Sequence, residues 1–438
     1  MHTYVGELVD LTDPALNRLD DLSIEEARAR VLAGDPAAVR AIGGSFAIVA
    51  REGETVRIAR SLDRPVRYFL AKKVEGPALV VADRIDAIHD WLERRGFDDQ
   101  FHPNYTRMVP AHYITSIRIV GCPDPSPTYE RFVVPRPGTL PNDTGAIGRA
   151  YIGALSNEIG TWLRSIPSDA PIGVSFSGGI DSGSVFLATA HAMRTLGMHL
   201  GRLKAFTLDA GNGPDLAQAR DFLRAVDMEL FLEPVEADAA FDANEAIRIT
   251  EDYKSLDVEC ATMGLALMRG IRARYPDWHY LMDGDGGDEN MKDYPIDENP
   301  ELTIRSVVNN PLLYQEGWGV GTMKHSLTYS GGLSRSYVRT YAPARHFGFE
   351  GFSPYTRPAL VELAGSLPWD ALTGYDVDRL YQLKGEIVAA GIRAVTGYEM
   401  PVFEKRRFQH GAIDADAMRA ALPFTEAEYR RRFLAQYA

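Results

Sequence analysis

Short apolar runs broken by polar turns fill the first third of the chain: 45–50 (Ser-Phe-Ala-Ile-Val-Ala), 56–59, 67–71 and 79–82. Runs of that length between turn residues predict β-strands joined by hairpins. Six prolines between 123 and 141 (Pro123, Pro125, Pro127, Pro135, Pro137 and Pro141) interrupt the pattern, and such segments stay extended and favour domain boundaries. The expected division is a first domain over 1–122, a proline-rich linker over 123–142 and a second domain over 143–438. Beyond the linker the period changes. The run 172–176, a helical stretch to Gly197 and the run 203–208 form a strand, helix, strand sequence, and 280–282 (Tyr-Leu-Met) reads as another strand. This order predicts an α/β domain with a parallel sheet. The tail beyond about 300 shows no clear strand and reads as mostly helical, with Leu360, Leu363 and Leu367 and then Ile387, Ile392 and Val395 near helical spacing.

At 438 residues there is room for two or three independent cores, and 45% apolar with 24% charged residues is the profile of an ordinary globular enzyme. The net charge of -13 opposes nonspecific nucleic-acid binding. No apolar run approaches the roughly 20 residues of a bilayer span, and the start (Met1, His2, Thr3, Tyr4) has no basic n-region, so a cytoplasmic location is expected. The two cysteines, Cys122 and Cys260, are far apart and have no metal-ligand spacing.

The sharpest local signal is Ser177-Gly178-Gly179-Ile180-Asp181-Ser182, which follows a predicted strand and opens a helix with Val185, Ala188 and Ala192 as its apolar stripe. Glycines let a phosphate approach the backbone, and the N–H groups at a helix start attract it. A Walker A loop would end in Gly-Lys-Ser/Thr; here Asp181 precedes Ser182, and a carboxylate beside triphosphate requires a cation. Asp181 is thus a candidate Mg²⁺ ligand. A glycine turn capped by Asp181 or Ser182 is the purely structural alternative. A second loop, Gly284-Asp285-Gly286-Gly287-Asp288-Glu289, follows the strand at 280–282. Alone it fits a solvated turn or a Ca²⁺-type loop equally well. With both loops at carboxyl ends of parallel strands, where open α/β sheets bind ligands, Asp288 becomes the second metal carboxylate opposite Asp181.

Together the two loops resemble the ATP-pyrophosphatase fold, adenine nucleotide α-hydrolase-like, of the asparagine synthetase and β-lactam synthetase family. The resemblance implies a synthetase domain preceded by a shortened Ntn-type αββα glutaminase-like domain. It also implies ATP and Mg²⁺ as cofactors, with Ser175, Ser177, Gly178, Gly179, Asp181, Ser182, Leu208 and Gly284 on the nucleotide side and Leu208 touching the base. Lys204 to Leu208 followed by Gly213, Pro214 and Asp215 is similar to the family's adenine-side strand and loop, and Phe347 to Tyr355 to its substrate-side stretch. Lys384 and Lys405 fall at two family lysine positions. An ammonium at Lys405 would stabilise the charge that builds during acyl transfer, although a lysine beside Arg406 and Arg407 also reads as a solvated basic face.

Departures sharpen the reading. Glutamine-dependent members begin Met-Cys; His2 holds that place here, and Thr3 would serve as a nucleophile only after trimming. The remnants around Gly43, Ser61 and Val109 still look like their first domain, so 1–122 is expected to have lost amidase activity. Asp285 occupies the position that is glutamate in asparagine synthetases and tyrosine in β-lactam synthetases, and reads as a general base or a metal neighbour. Arg335 and Arg339 replace an acidic partner found in β-lactam synthetases; they would hold a substrate carboxylate or be surface helix charge. The expected activity is AMP-forming amide ligation of an amino-acid-derived carboxylate, with ring closure to a β-lactam or lactam preferred. The alternatives are amidation with ammonia or an external amine, and a nucleotide-binding partner protein without turnover. Small-molecule natural-product biosynthesis, no nucleic-acid or membrane partner and a homodimer are compatible with this reading.

Overall fold

The computed structural model describes residues 6–120, 126–136, 138–211, 213–236, 241–291, 295–296, 299–303, 337–374, 377–403, 411–413 and 415–438. Beside a short antiparallel pair of Arg18–Asp20 with Gly43–Ser45, eight described strands build the two larger sheets of the first unit: β1 (Glu7–Asp10), β2 (Ala47–Glu52), β3 (Thr55–Arg60), β4 (Arg67–Ala71), β5 (Ala78–Ala82), β6 (Arg107–Met108), β7 (Tyr113–Arg118) and β8 (Thr128–Arg131). They form two four-stranded sheets, ordered β1-β5-β4-β6 and β8-β7-β3-β2. Along β2 the side chains alternate. Ala47 and Val49 join Val56, Ile58, Tyr68, Leu79 and Val81 in a core between the sheets, while Ile48 and Ala50 face outward under helix α1 (Ile24–Ala33). On the other sheet Phe69, Ala71, Ala78 and Val80 face outward under helix α2 (Ile85–Arg95). The result is four layers, α1, sheet, sheet, α2. Strands buried on both faces explain why these segments read as continuous apolar runs. Helix α1 starts in a capping box between Ser23 and Glu26 and stops at Gly34, whose φ of 73° is the left-handed conformation of a helix end.

Within the stretch expected to be linker, β8 pairs antiparallel with β7, and Phe132 and Val133 are buried in the core beneath α1. The first unit's packing therefore extends past residue 122.

The second unit is built on five parallel strands: β9 (Ile172–Ser175), β10 (Leu203–Asp209), β11 (Leu232–Glu236), β12 (Tyr280–Met282) and β13 (Glu350–Phe352), in spatial order β11-β10-β9-β12-β13. Both faces are covered, as an all-parallel sheet requires. In β10, Leu203 and Ala205 face one core, shared with helices α3 (Thr144–Ser165), α4 (Ile180–Thr195), α5 (Asp215–Ala225) and the later part of α8 (Val377–Thr396). Phe206 and Leu208 face the other core, beneath helix α6 (Ser255–Arg274). Between β12 and β13 a short helix α7 (Gly287–Met291) carries the second glycine loop. A Cβ on Gly148 of α3 would come 2.3 Å from Ile387 O, and one on Gly391 of α8 would come 2.3 Å from Gly148 O. The two glycines permit this close crossing, which fixes α8 over the sheet.

Beyond about 300 the described residues are mostly helical apart from strand β13, and ahead of that tail Pro295–Ile296 pairs with Asn299–Thr303. Glu350-Gly351-Phe352 is too short to show a period of two. It is a strand because β12 offers it an edge, and Glu350 N also donates to His279 O at 2.8 Å. Among the described residues, no helix is long and apolar enough to cross a membrane.

The two units are tied by named charges. Arg40 binds Glu362 through two bonds of 2.9 and 2.7 Å, Arg18 meets Glu350 at 3.1 Å, and Arg357 donates to Gly44 O. Glu251, buried at the end of the helix Ala243–Thr250, accepts from Ile85 N (2.8 Å) and Asp86 N (3.2 Å) and so caps α2 of the first unit, whose N-cap residue, Arg84, makes no side-chain capping bond.

Candidate active site

The first glycine loop connects β9 to α4. Gly178 has φ 71°, and a Cβ there would meet Gln218 O at 2.8 Å, so the turn needs a residue without a side chain. Ser177 N donates to Ser182 Oγ (3.2 Å), which closes the loop on itself. Gly179, the N-cap of α4, supplies no side-chain acceptor, so the N–H groups of the first turn stay available to an anion. Ser175 Oγ, at the end of β9, is buried and makes no hydrogen bond among the described residues.

The second loop packs directly on the first. A Cβ on Gly284 would be 2.6 Å from Ser182 N, and one on Gly287 would be 2.2 Å from Asp181 Oδ1. This contact brings Asp181 and Asp288 to one point, and Lys384 fills it. The Lys384 Nζ lies 2.6 Å from Asp181 Oδ2 and 2.5 Å from Asp288 Oδ1, with the lysine side chain only 3% exposed. A buried ammonium is tolerated only with such compensation. Asp181 Oδ1 makes no hydrogen bond, although it is equally close to the ammonium.

Behind these residues is a second pair of carboxyls. Asp283, buried at the end of β12, accepts from Thr340 Oγ1 (2.7 Å), Ser353 Oγ (2.8 Å) and Asp285 N (2.9 Å). Burial, and then the charge of Asp285, push its carboxyl well above the usual carboxylate range. Asp285 is pushed up to about 6, first by burial and then by the charges of Glu289 and Asp181, against the opposing pull of Arg339 and of the Thr340 hydroxyl. Arg339 Nη1 is 3.7 Å from Asp285 Oδ1. Both Arg339 and Thr340 come from a single π-helical turn, Tyr337–Tyr341, a geometry concentrated at functional sites.

The structure thus brings together Ser177, Gly178, Gly179, Asp181, Ser182, Gly284, Asp285, Asp288 and Lys384. Lys384, the lysine with the plainest sequence context, is the one that joins both loops. Arg339 is largely buried against Asp285, which removes the reading of it as surface charge. Leu208 lies in β10 within the core beneath α6 and is 4% exposed. Lys405 and Arg335 lie outside the described residues, as do His2, Thr3 and Cys122. Gly411, just past the Lys405 segment, packs against Gly213 and Asp215, the loop that follows β10. Asp283 and Thr340 have no part in the sequence reading, and Ser353 and Tyr355 enter it only as part of the Phe347 to Tyr355 stretch. Tyr355 stacks on Tyr151 at 5.6 Å, and its hydroxyl meets Ser184 Oγ at 2.6 Å, which supports α4 from beneath. Asp283 directly precedes the second loop, and that adjacency was the one available signal.

Among the described residues, no three His, Cys, Asp or Glu side chains gather as a metal cage. Two carboxylates on one point, with uncapped helix N–H groups beside them, is instead the arrangement expected where phosphate oxygens complete a cation's shell.

No curated protein matches the chain. Residues 164–324 match the family model described as asparagine synthase, a stretch that runs from the end of α3 through both glycine loops; Lys384, Thr340 and Ser353 lie beyond it and are brought to the loops by the fold. Residues 164–324 are thus similar to asparagine synthase, and this match supports ATP-dependent amide-bond ligation in general.

Proposed function

We propose that this protein activates a substrate carboxylate with ATP and Mg²⁺ and closes it onto an amine of the same molecule, forming a β-lactam or related lactam. The observation that carries the reading is the convergence of Asp181 and Asp288, from two strand-end loops, on one cation-sized point now held by the Lys384 ammonium. A bound Mg²⁺ would neutralise the phosphates and the leaving pyrophosphate. The glycine loop and the first turn of α4 would seat the phosphates, with Ser175 Oγ, unbonded among the described residues, as a spare polar atom beside them. The substrate carboxylate oxygen attacks the α-phosphorus and pyrophosphate departs. The amine lone pair then attacks the acyl carbonyl, the bond from that carbon to the phosphate oxygen breaks, and AMP leaves. Asp285, on the strand edge beside the loops, takes the proton the nitrogen sheds. A base poised near 6 is ionised at neutral pH and still basic enough to accept it.

The four-layered first unit is read as a glutaminase-like domain kept for packing. Of the two cysteines, Cys260 is fully buried in α6, where it cannot attack an amide. An amine carried by the substrate removes the need for ammonia, and tethering supplies a high effective molarity. The setting read for this activity is cytoplasmic small-molecule biosynthesis from amino-acid-derived carboxylates. The test has two stages. Exchange of labelled pyrophosphate into ATP across a panel of amino-acid-derived carboxylates should identify the acid, and mass spectrometry should then give a product lighter by one water, with or without ammonium. Product equal to substrate plus ammonia minus water would replace ring closure with ammonia-dependent amidation. Glutamate released from glutamine in step with product would overturn the inactive first domain.

A further inference from the structure

Thr340 Oγ1 is shared between two carboxyls: it lies 2.7 Å from Asp283 Oδ2 and 3.1 Å from Asp285 Oδ2. A hydroxyl has one hydrogen to donate. If both carboxyls were ionised, one of these two contacts would place oxygen lone pairs against each other with no proton between them. Asp283 Oδ2 already receives Ser353 Oγ–H, and its other oxygen receives Asp285 N–H. A proton on Asp283 Oδ2 resolves the count, because Asp283 then donates to Thr340 Oγ1 and Thr340 donates onward to Asp285 Oδ2. We propose that Asp283 carries the one proton of this carboxyl pair and, through Thr340, positions Asp285 as the base of amide formation.

What the pair achieves rests on the reading of Asp285 as base; the shared proton does not. The assignment fits the surroundings. Asp283 is 5% exposed at the end of β12, and among the described residues no cation lies beside it, so an ionised form would be buried and uncompensated by them. Asp285 faces Arg339 on the π-helical turn, which favours its ionised form, while Glu289 on α7 and Asp181 on α4 oppose it. The donor from Thr340 therefore fixes the direction of one Asp285 oxygen and leaves the other toward Arg339 and the substrate side. Ser353, immediately after β13, ties the pair to the sheet edge, so strand pairing by β13 holds the base in register with both glycine loops.

The test needs no turnover. An infrared difference spectrum of the full chain at neutral pH, wild type minus Asp283→Asn, should contain the carbonyl stretch of a protonated carboxyl. Titration of the Asp285 carboxylate band, identified against Asp285→Asn, should have its midpoint near 6. Thr340→Val should move that midpoint upward by roughly one pH unit, the loss of one hydrogen bond to a charged acceptor, and Thr340→Ser should restore it. A difference spectrum without the protonated carboxyl, or a midpoint that Thr340→Val leaves in place, overturns the proposal. The base reading fails separately: if Asp285→Asn still forms amide at the wild-type rate, Asp285 is not the base even where the shared proton is seen.

Discussion

Both units bury charge, and they do so in opposite ways. In the first, Arg60 is fully buried and spends its donors on carbonyls, Val109 O at 2.6 Å, Ser61 O at 3.2 Å and Leu62 O at 3.3 Å, which pins the chain after β3 to the strand edge near 109. Arg64 meets Asp83 at 3.0 Å. His112, with φ 67°, is driven down to about 3 by burial and then by Arg131, Arg60 and Arg40, so it is neutral wherever the protein is folded. In the second unit, Asp283 and Asp285 are pushed up by burial first and then by neighbouring carboxylates, a lysine bridges two loops, and Ser175 Oγ has no hydrogen bond among the described residues. Burial of charge therefore does not by itself mark a site. Like charges held together with unspent polar atoms do, because such an arrangement costs stability until something binds.

The sharpest way to break this comparison is to remove a loop carboxylate. Asp181→Ala and Asp288→Ala should each lower pyrophosphate–ATP exchange by roughly 10³-fold or more, since several kcal/mol of phosphate charge stabilisation go with the ligand. Undiminished exchange in a folded variant would remove the site. Lys405→Met should cut amide formation by roughly 10²-fold while ATP binding changes less, the usual effect of deleting one preorganised donor; unchanged product formation would make Lys405 part of a basic surface.

The remaining predictions concern stability. Arg60→Met should cost about 3 kcal/mol in urea unfolding because at least four buried carbonyls lose a donor, with exchange per folded molecule unchanged. A large loss of exchange in that variant would place Arg60 among the working residues. For Asp285 the sign runs the other way. Its folded carboxyl sits near 6, above its ordinary 3.8, so its contribution to stability is present at low pH and is lost as pH rises toward and past 6. Asp285→Asn should therefore raise stability by on the order of 2 kcal/mol at neutral pH and have little effect near pH 4, as thermal unfolding at both pH values would show. For His112 the folded value near 3 is below the ordinary 6.5, so its contribution is present above 6.5 and is lost as pH falls toward 3. His112→Asn, which tolerates the left-handed backbone, should flatten the acid side of the stability curve; an unchanged acid slope would clear His112 of that role.

Much of the site could be read before any folding. Each glycine loop announces itself through the strand before it and the acids within it, since a cation and a phosphate both require those residue types at a strand end. Lys384 could not be ranked this way. It stands on an ordinary helix, and only the crossing of α8 over α3 at Gly391 and Gly148 brings it between Asp181 and Asp288. Arg339 looked like surface charge for the same reason, since helical sequence does not show which face a neighbour covers. Strand β13 was illegible because three residues carry no period.

The sequence by itself determined the strand-rich character of the first third, the parallel α/β character of the sheet after it and both acidic glycine loops, because these follow from local periodicity and backbone freedom. Only the tertiary structure decided which charges meet. Asp283, Thr340 and Ser353 are separated by 57 and 70 residues from the first to each of the others, yet share hydrogen bonds at one sheet edge. Pairing over such separations is set by how strands and helices pack, and the energy of a buried charge depends on those distances and on exclusion of water, neither of which is written in neighbouring letters.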